Sequence, residues 1–446
     1  MTAPLPPSPH PPLRAGEAAR RILAEVRRQP PLRIPLDDAQ GAVLAETVVS
    51  PLDIPPWTNS AMDGYAARAD DVRGAGPQAP KRLRVVEVLP AGTFPTRALH
   101  PGECTRIFTG APLPDGADSV IRQEDTDHGA ELVEIRSDRD CGVNLRRAGE
   151  DIRKGEVVLP AGTELGPAEL GVLASLAVAY PVVFRRPRVA ILGSGDEIVD
   201  LDRPEEILSG RKVASSNTHT LMALIRQAGG VPVNLGIAAD RPESLREHLA
   251  RAEECDLLVT TAGISVGEHD HLRAVLGELG AEIRFWKLRM RPGAPVGFGL
   301  LGGIPWIGLP GNPVSTMVTF ELFARPAIRK LMGHLLPFRR AIQVRVAEPI
   351  KLGPKLQHFL RAVVTFPPAS ESGEPGRESE AAHRSPATGQ LPEARLTGPQ
   401  GSGILTSMVK ANALLIVPEG QHETKEGAVL NALVLNHPSH QEAPPF

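Results

Sequence analysis

The sequence predicts a multidomain protein of the α/β plus β class, with a region of parallel strands flanked by β-rich regions. Three apolar runs, each followed by a glycine-containing turn, predict buried parallel strands: Arg188–Leu192, Asp256–Thr261 and Pro305–Leu309. Apolar residues at helical spacing between these runs predict the helices that connect parallel strands. Open α/β sheets bind ligands at the carboxyl ends of their strands, so the turns after these runs are the first candidates for a site.

The regions before and after the parallel strands follow a different pattern. A helix is predicted over Ala15–Arg28, after a proline-rich stretch at residues 1–13 that we expect to be extended or disordered. From Leu32 to Arg186, and again after Pro337, short β-rich pieces separated by turns predict mostly β domains. The strands predicted there are Leu83–Leu89, Leu132–Ile135, Glu156–Leu159, Ile342–Val346, Leu360–Phe366, Ala413–Val417 and Ala428–Val434.

Helix signals also occur within the α/β region. Asn217 is predicted to cap a helix that stops at Gly229, Pro242 suits the first position of a second helix, and His271–Leu279 is predicted as a third. Residues 367–395, in the C-terminal region, are rich in Ser, Glu, Gly and Pro. We therefore expect a solvated insertion in that segment.

Composition excludes several classes of function. With 49 basic and 52 acidic residues the chain has no global field for nucleic acid, and 4% aromatic residues argue against stacking on single strands. The three cysteines, Cys104, Cys141 and Cys255, form no metal-spaced pair, which favours a reducing cytosol over a disulfide framework. The longest apolar run, 170–184, is too short to cross a bilayer and no secretory signal is evident, so we expect a soluble cytoplasmic protein without membrane contact.

Acidic or hydroxyl side chains lie in several glycine-containing turns, where a ligand can approach the backbone. Carboxylates there can bind a metal ion and, through it, a phosphate. Each position also has a plain structural interpretation: Asp63 could bond its own backbone in a tight turn, and Asp270 could be an ordinary first-turn helix residue. The dinucleotide fingerprint at Gly193–Glu197 is incomplete, because Ile198 stands where its third glycine belongs. The candidate residues in such turns are Asp63, Thr109, Asp151, Glu197, Ser265 and Asp270.

Two further features predict anion binding. Asn312 and Pro313 follow a strand and a glycine turn, an arrangement that aims helix-end amides at a ligand but also describes a well-capped structural helix. Lys287, Arg289 and Arg291 alternate along a predicted strand, which would place them on one face as a basic patch for phosphate or an oxyanion. Solvated strand charge is the competing interpretation.

Taken together and in order, these segments resemble those of one family. The matching segments are Asn59–Ala66, Thr109–Pro112, Gly149–Ile152, Gly195–Glu197, Ser265–Glu268, Phe285–Lys287, Arg291–Gly293, Gly308–Ser315 and Gln400–Ser402. The chain resembles the molybdopterin molybdenumtransferase family, which is related to the E domain of gephyrin. The resemblance covers nearly the whole chain, except the proline-rich start, the insertion and the extreme C-terminal tail.

The resemblance implies a four-domain subunit that forms an elongated homodimer. The implied domains are a β linker domain (31–57 and 146–186), an inserted β-rich domain (58–145), a molybdopterin-binding three-layer α/β domain (14–30 and 187–335) and a C-terminal β-barrel-like domain (336–446) that carries the insertion at 367–395. The implied activity is insertion of molybdate into adenylylated molybdopterin, with magnesium-dependent release of AMP. Molybdopterin adenylyltransferase, which acts in the preceding step, is an expected contact.

Motif positions of the family also imply roles for individual residues. The expected catalytic residues are Asp63, Thr109, Asp151, Glu197, Asp240 and Asp270, of which Asp240 and Asp270 are expected to hold Mg²⁺. The expected substrate-binding residues are Ser265, Lys287, Arg291, Asn312, Arg361 and Ser402. The last two of these, Arg361 and Ser402, are expected to line the cleft of the partner subunit. Molybdate and tungstate have the same charge and similar shape, so the same cations would suit either oxyanion.

The sequence departs from the family pattern at three positions. Ala294 stands where many relatives have a second lysine, Ala262 replaces a frequent glycine, and Arg291 replaces a lysine. Two alternatives to the implied activity remain open: a molybdopterin adenylyltransferase, and a non-catalytic gephyrin-like scaffold. Formation of AMP rather than consumption of ATP would distinguish the implied activity from an adenylyltransferase. Failure to convert adenylylated molybdopterin would favour the scaffold. An oxidoreductase is a weaker hypothesis, because the dinucleotide-binding glycine fingerprint is incomplete.

Overall fold

A computed structural model describes residues 11–263, 271–353, 355–367 and 390–436. The chain forms two compact units, and the four-domain division remains a prediction. We call Ile34–Gln40 with Leu44–Pro181 the N-terminal unit, and the described residues up to Arg33, Gly41–Val43 and those from Val182 onward the main unit. Every helix in the described part of the chain is too short or too polar to span a bilayer.

The helices and strands have the following bounds. The helices are α1 (Ala15–Glu25), α2 (Ala69–Val72), α3 (Pro167–Ser175), α4 (Pro204–Leu208), α5 (Ser216–Ala228), α6 (Pro242–Ala250), α7 (His271–Glu278), α8 (Pro313–Thr319), α9 (Arg325–Leu331) and α10 (Thr406–Lys410). Up to residue 184 the strands are β1 (Pro31–Arg33), β2 (Val48–Val49), β3 (Asn59–Ser60), β4 (Gly64–Ala67), β5 (Lys81–Leu89), β6 (Glu103–Ile107), β7 (Ser119–Arg122), β8 (Leu132–Ile135), β9 (Leu145–Arg146), β10 (Val157–Leu159) and β11 (Val182–Phe184). The α/β region contains β12 (Arg188–Ser194), β13 (Ile198–Val199), β14 (Val213–Ala214), β15 (Val231–Ala238), β16 (Leu257–Thr261), β17 (Glu282–Phe285), β18 (Met290–Arg291), β19 (Gly297–Leu301) and β20 (Ile304–Leu309). The C-terminal region contains β21 (Ala341–Val346), β22 (Ile350–Lys351), β23 (Gln357–Thr365), β24 (Glu393–Leu396), β25 (Ala413–Val417), β26 (Glu423–Thr424) and β27 (Val429–Val434).

The N-terminal unit is built mainly from β-strands. A five-stranded sheet has the order β7-β4-β6-β5-β8, and β2 with β10 and β3 with β9 form two short antiparallel pairs. One face of the sheet packs Tyr65, Leu83, Ile121 and Val133 into a small core. Cys104 belongs to this core, where burial raises the pKa of its thiol to about 12. This cysteine therefore packs as an apolar side chain and stays protonated at neutral pH.

The main unit contains a six-stranded sheet with the order β15-β12-β16-β20-β19-β17, and its first four strands are parallel. Alternate side chains of β12 point to opposite faces of this sheet, and helices cover both faces. Val189 and Ile191 pack with α1, α5, α8 and α9, whereas Ala190 and Leu192 pack with α6 and α7. Burial on both faces requires the nearly continuous apolar strands that the sequence shows. The predicted three-layer α/β arrangement is confirmed.

The C-terminal region of the main unit forms a closed barrel. Its strands run in the order β18-β23-β24-β21-β27-β25, and pairing of β23 with β25 closes the ring. Strand β18 comes from the α/β region and pairs in parallel with Gln357 and His358 of β23. The predicted barrel-like domain is confirmed, and its core is formed by residues such as Val344, Leu415 and Ala432.

Two local predictions are wrong. Helix α5 begins at Ser216 after Ser215, so Asn217 lies inside the first turn and does not cap the helix. The strand predicted through Lys287 and Arg289 is limited to Met290–Arg291, because Lys287 belongs to the connection that leads from β17 to β18. Other boundaries agree closely: Leu132–Ile135 and Ala413–Val417 are strands with the predicted limits.

Candidate functional site

A cavity of about 470 Å³ opens at the carboxyl ends of β12, β16 and β20, in the main unit. Three of its lining residues, Gly193, Gly263 and Gly311, are glycines at the strand ends and in the turns that follow. The cavity is lined by Gly193, Ser194, Glu197, Ile198, Val213, Ala214, Ser215, Ser216, Asn217, Thr261, Ala262, Gly263, Pro295, Pro310, Gly311, Asn312 and Pro313. Its position is the one at which open α/β sheets bind ligands, and its size suits a small organic molecule.

The turn that follows β20 forms one wall of this cavity and is held by side-chain hydrogen bonds. The amide nitrogen of Asn217 donates to Thr261 Oγ1 at 2.9 Å and to the carbonyl oxygen of Gly311 at 2.7 Å. The hydroxyl group of Thr316 donates to the carbonyl oxygen of Pro310 at 2.6 Å. Sequence reasoning missed this role of Asn217, because an asparagine near a helix start has the same local pattern as a helix cap.

Asn312 lies at the start of α8, as predicted, but its side chain does not cap that helix. Its amide nitrogen donates instead to the hydroxyl oxygen of Ser402, 3.1 Å away, and the backbone N–H of Val314 donates to the carbonyl oxygen of Ser402 at 3.1 Å. One helix-end amide of the expected anion site is therefore already occupied by the protein. Ser402 makes these contacts within its own chain, and its expected place in the cleft of a partner subunit stays a prediction.

Acidic residues meet where β12 and β15 end side by side. Ser194 and Ala238, the last residues of these strands, are paired, which brings Asp196 next to Asp240. The backbone N–H of Asp240 donates to Asp196 Oδ1 at 3.1 Å. Loss of hydration and the negative charges of Asp196 and Glu197 raise the pKa of Asp240 above its ordinary value. Glu197 also lines the cavity, so negative charge accumulates at this edge.

The described residues contain no group of three His, Cys, Asp or Glu side chains arranged to hold a metal ion. Ser265 and Asp270, which were predicted as a substrate-binding residue and a metal ligand, lie outside the described residues. The loop that leads to them begins at Ala262, whose φ of +71° lies in the left-handed region. A glycine adopts that conformation without strain, which accounts for the glycine expected at this position.

The three predicted cations divide into two groups. Arg289 forms an ion pair with Glu419, which also lies 3.3 Å from Arg14. The exposed side chains of Lys287 and Arg291 have no hydrogen-bond or ion-pair partner within the described parts of the chain. Both residues belong to the connection between β17 and β19, and Pro295 on the same connection lines the cavity. Two of the three cations are thus available to an anionic ligand.

In the N-terminal unit, Asp63 contacts Thr109. Asp63 Oδ1 accepts hydrogen bonds from the backbone N–H and from the hydroxyl group of Thr109, each at 2.8 Å. These bonds, with a smaller contribution from the charge of Arg106, hold the pKa of Asp63 below its ordinary value. The two sequence-predicted residues are therefore in direct contact, and the Asp63 carboxylate bonds Thr109 and not its own backbone. Their role in catalysis stays a prediction.

The remaining predicted residues differ in exposure. Asp151 lies exposed beside Gly149, whose φ is +67°. Arg361 lies on β23 and is 0% exposed. Its Nε donates to Ser407 Oγ at 3.0 Å and its Nη2 to the carbonyl oxygen of Gly401 at 3.0 Å, while loss of hydration lowers its pKa. Direct contact of Arg361 with a ligand stays a prediction.

Family models match three consecutive parts of the chain. Residues 13–177 match "MoeA N-terminal region (domain I and II)", residues 190–330 match "Probable molybdopterin binding domain" and residues 343–435 match "MoeA C-terminal region (domain IV)". The cavity residues from Gly193 to Pro313 all fall within the second match.

Curated relatives and solved structures agree with these matches. The chain is 36% identical to molybdopterin molybdenumtransferase 2 of Mycobacterium tuberculosis, over 94% of this chain and 98% of the relative. It is 41% identical to a molybdopterin molybdenumtransferase of Nostoc sp., over 66% of this chain and 68% of the relative. A crystal structure of the molybdopterin biosynthesis MoeA protein from Pyrococcus horikoshii has a TM-score of 0.75 at 27% identity and covers 95% of this chain and 100% of its own. The chain therefore belongs to the molybdopterin molybdenumtransferase family.

Proposed function

We propose that this protein inserts molybdate into adenylylated molybdopterin, with magnesium-dependent release of AMP. The observation that carries the proposal is the cavity at the carboxyl ends of β12, β16 and β20, inside the region that matches a molybdopterin-binding domain. The polar residues Ser194, Ser215 and Asn217 are among those that line it, and polar groups suit the polar edge of a pterin and its phosphate.

Two groups of residues in the main unit, one cationic and one polar, support separate parts of this reaction. Lys287 and Arg291, whose side chains have no partner in the described structure, would bind the molybdate dianion through charge-assisted hydrogen bonds. The Asn312 amide and the Ser402 hydroxyl, already in contact with each other, would orient the ligand at the cavity rim. Asp63, Thr109 and Asp151 of the N-terminal unit are proposed to take part in catalysis as the family resemblance implies.

The acidic edge suits a hard divalent cation. Mg²⁺ in proteins is held by one or two carboxylates together with substrate phosphates and water, so Asp240 with Glu197 nearby is a fitting donor set. Loss of hydration and then the negative charges of Asp196 and Glu197 raise the pKa of Asp240, and a cation would offset both effects. When bound, Mg²⁺ supplies the positive charge that lets the carboxylates and the phosphates share one site.

The decisive experiment follows AMP release and cofactor formation together. Purified protein is incubated with adenylylated molybdopterin, molybdate and Mg²⁺, and matched reactions omit molybdate or contain EDTA. We expect AMP and molybdenum cofactor to form in equal amounts only in the complete reaction. Consumption of ATP with molybdopterin would instead show an adenylyltransferase, and absence of any conversion would leave a non-catalytic scaffold as the better description.

We also propose that the protein is a cytoplasmic homodimer that contacts molybdopterin adenylyltransferase. The dimer and the contact rest on the family resemblance, and the location rests on three cysteines with no disulfide among them. Light scattering coupled to size-exclusion chromatography measures the mass of the particle and so tests the dimer. A mass of one chain, 47.6 kDa, at micromolar concentration would contradict the dimer.

A further inference from the structure

The loop that carries Ser402 is fixed to the barrel by Gln400. Strand β18 pairs with Gln357 and His358 of β23, and β24 pairs with β23 only from Ala362 onward. The backbone of Arg361 lies between these two pairings. Its N–H donates to Gln400 Oε1 at 2.9 Å, and its carbonyl oxygen accepts from Gln400 Nε2 at 3.2 Å. The backbone N–H of Thr397, just after β24, also donates to the Arg361 carbonyl oxygen, at 3.1 Å. The Gln400 side chain therefore replaces only the strand carbonyl that would otherwise accept the N–H of Arg361.

The side chain of Arg361 holds the other end of the same loop. Its Nη2 donates to the carbonyl oxygen of Gly401, and its Nε donates to Ser407, the buried serine of α10. Within the described residues Arg361 has no carboxylate partner, and its buried Nη1 has no hydrogen-bond partner at all. Keeping a cation in such a place costs stability, so a role in shaping the loop accounts for it better than packing does.

From this loop the contacts continue into the wall of the cavity. Ser402, next to Gly401, accepts hydrogen bonds from the Asn312 side chain and from the backbone N–H of Val314. Asn312 and Pro313 are both cavity-lining residues. A continuous set of contacts therefore leads from β23 of the barrel, through the loop, to the first turn of α8.

We propose that Gln400 and Arg361 are positioning residues, which hold the Ser402 loop so that it orders the cavity wall at Asn312 and Val314. This proposal deepens the proposed function, and it rests on that function only for the kinetic part of its test. The barrel is thereby assigned a part in ligand binding that does not require its residues to touch the ligand. Gln400 is the better residue to test, since removing the buried Arg361 side chain could unfold the barrel.

The first measurement does not depend on activity. Hydrogen exchange of the peptide that contains Val314 is compared in the wild type, Gln400→Ala and Gln343→Ala, a matched change of an exposed glutamine on β21 of the same barrel. We expect exchange at the Val314 amide to be about three- to tenfold faster in Gln400→Ala only. In that variant the Ser402 carbonyl oxygen, which accepts from the Val314 N–H, is displaced. Equal exchange in all three proteins, with the barrel folded, would overturn the proposal.

The second measurement is kinetic and uses a double-mutant cycle. We expect Gln400→Ala to raise the KM for adenylylated molybdopterin about three- to tenfold with little change in kcat, and Ser402→Ala to do the same. If Gln400 acts through Ser402, the double variant is no worse than either single variant. Multiplied effects, or a fall in kcat alone, would contradict this. Gln400→Glu, which keeps the acceptor for the Arg361 N–H, should recover part of the loss.

The two proposals fail in different ways. An inactive wild type with the expected exchange pattern would remove the proposed reaction and leave the positioning role intact. An active wild type whose Gln400→Ala variant matches Gln343→Ala in both measurements would remove the positioning role alone.

Discussion

The carboxylate of Asp63 accepts two hydrogen bonds from Thr109, a residue 46 positions away, one from its backbone N–H and one from its hydroxyl group. The pair fixes the carboxylate in its ionised form at the mouth of the loop that follows β6. Asp63 and Thr109 both belong to the N-terminal unit.

Thr109→Val should raise the pKa of Asp63 part of the way towards its ordinary value, because the hydroxyl bond is lost and the backbone bond remains. Ionised Asp63 stabilises the fold above the ordinary carboxyl pKa of about 4, and this contribution disappears as the pH falls through the lowered pKa. In the variant the contribution is smaller and its loss is complete at a higher pH, because only the pKa of the folded state has moved. NMR titration of the carboxyl carbon measures the change. Thr109→Ser keeps the hydroxyl group and should titrate like the wild type; identical titration of all three proteins would refute the argument.

Among the three neighbouring cations, only Lys287 and Arg291, which have no partner among the residues that the structure describes, should matter for the oxyanion. We expect Lys287→Met and Arg291→Met each to raise the KM for molybdate roughly 10- to 100-fold, the range for loss of a charged hydrogen bond. Arg289→Met removes the same charge from a residue paired with Glu419, so the KM should not change while thermal stability falls slightly. Equal effects of the three substitutions on the KM would show a general field rather than a binding site.

Asp240→Asn should weaken the dependence on magnesium and stabilise the metal-free protein. Removing this charge ends the loss of hydration of a partly buried carboxylate and its repulsion with Asp196 and Glu197, so the melting temperature without Mg²⁺ should rise at neutral pH. Added Mg²⁺ should then raise the melting temperature less than it does in the wild type. Asp202→Asn, on an exposed residue of the following segment, is the matched control. If Mg²⁺ raises the melting temperature of the variant as much as that of the wild type, Asp240 is excluded as a ligand.

Ala262→Gly should stabilise the protein by about 1 kcal/mol, because alanine is strained at the positive φ of this position. Urea unfolding measures the difference. Ala161→Gly, at an exposed turn residue without a positive φ, should destabilise the protein by a few tenths of a kcal/mol, since only the entropy of the unfolded chain changes. Destabilisation by both substitutions would mean that the strain at Ala262 is negligible.

Replacing residues 368–389 with a short Gly/Ser linker should leave the barrel folded. Thr365 and Glu393 are partners in the antiparallel pairing of β23 with β24, so the ends of the insertion are already held together. Each doubling of loop length costs only about 0.6 kcal/mol, and a shorter loop recovers some of that. Circular dichroism and thermal melting measure the result. A deletion that extends through Leu396 removes β24 and should abolish folding of the barrel.

The parallel strands could be predicted from the sequence because burial on both faces leaves a direct local pattern. The apolar runs at Arg188–Leu192 and Pro305–Leu309 contain no polar alternation, and glycine turns mark their carboxyl ends. The position of the cavity follows from those ends, since ligands bind where parallel strands stop. The expected roles of individual residues came from the family resemblance, since spacing alone did not supply them, and these roles stay predictions.

Contacts between distant segments could not be predicted in this way. Ser402 and Asn312 lie 90 positions apart, and neither has a local pattern that names the other. The alternation of Lys287, Arg289 and Arg291 resembles a strand, but Arg289 is drawn to Glu419 and only Met290–Arg291 pairs with β23. Asn217 has the sequence pattern of a helix cap, whereas tertiary hydrogen bonds to Thr261 and Gly311 decide its position.

The parallel pairing of β18 with β23 has a consequence for how the protein unfolds. Met290 and Arg291 belong to the covalent sequence of the α/β sheet, yet their main-chain hydrogen bonds are made to the barrel. Unfolding of either the α/β region or the barrel breaks the pairing of β18 with β23. We therefore expect heat to denature both in a single transition. A fragment expressed from residue 336 onward would leave Gln357 and His358 as an open strand edge, free to associate with other copies.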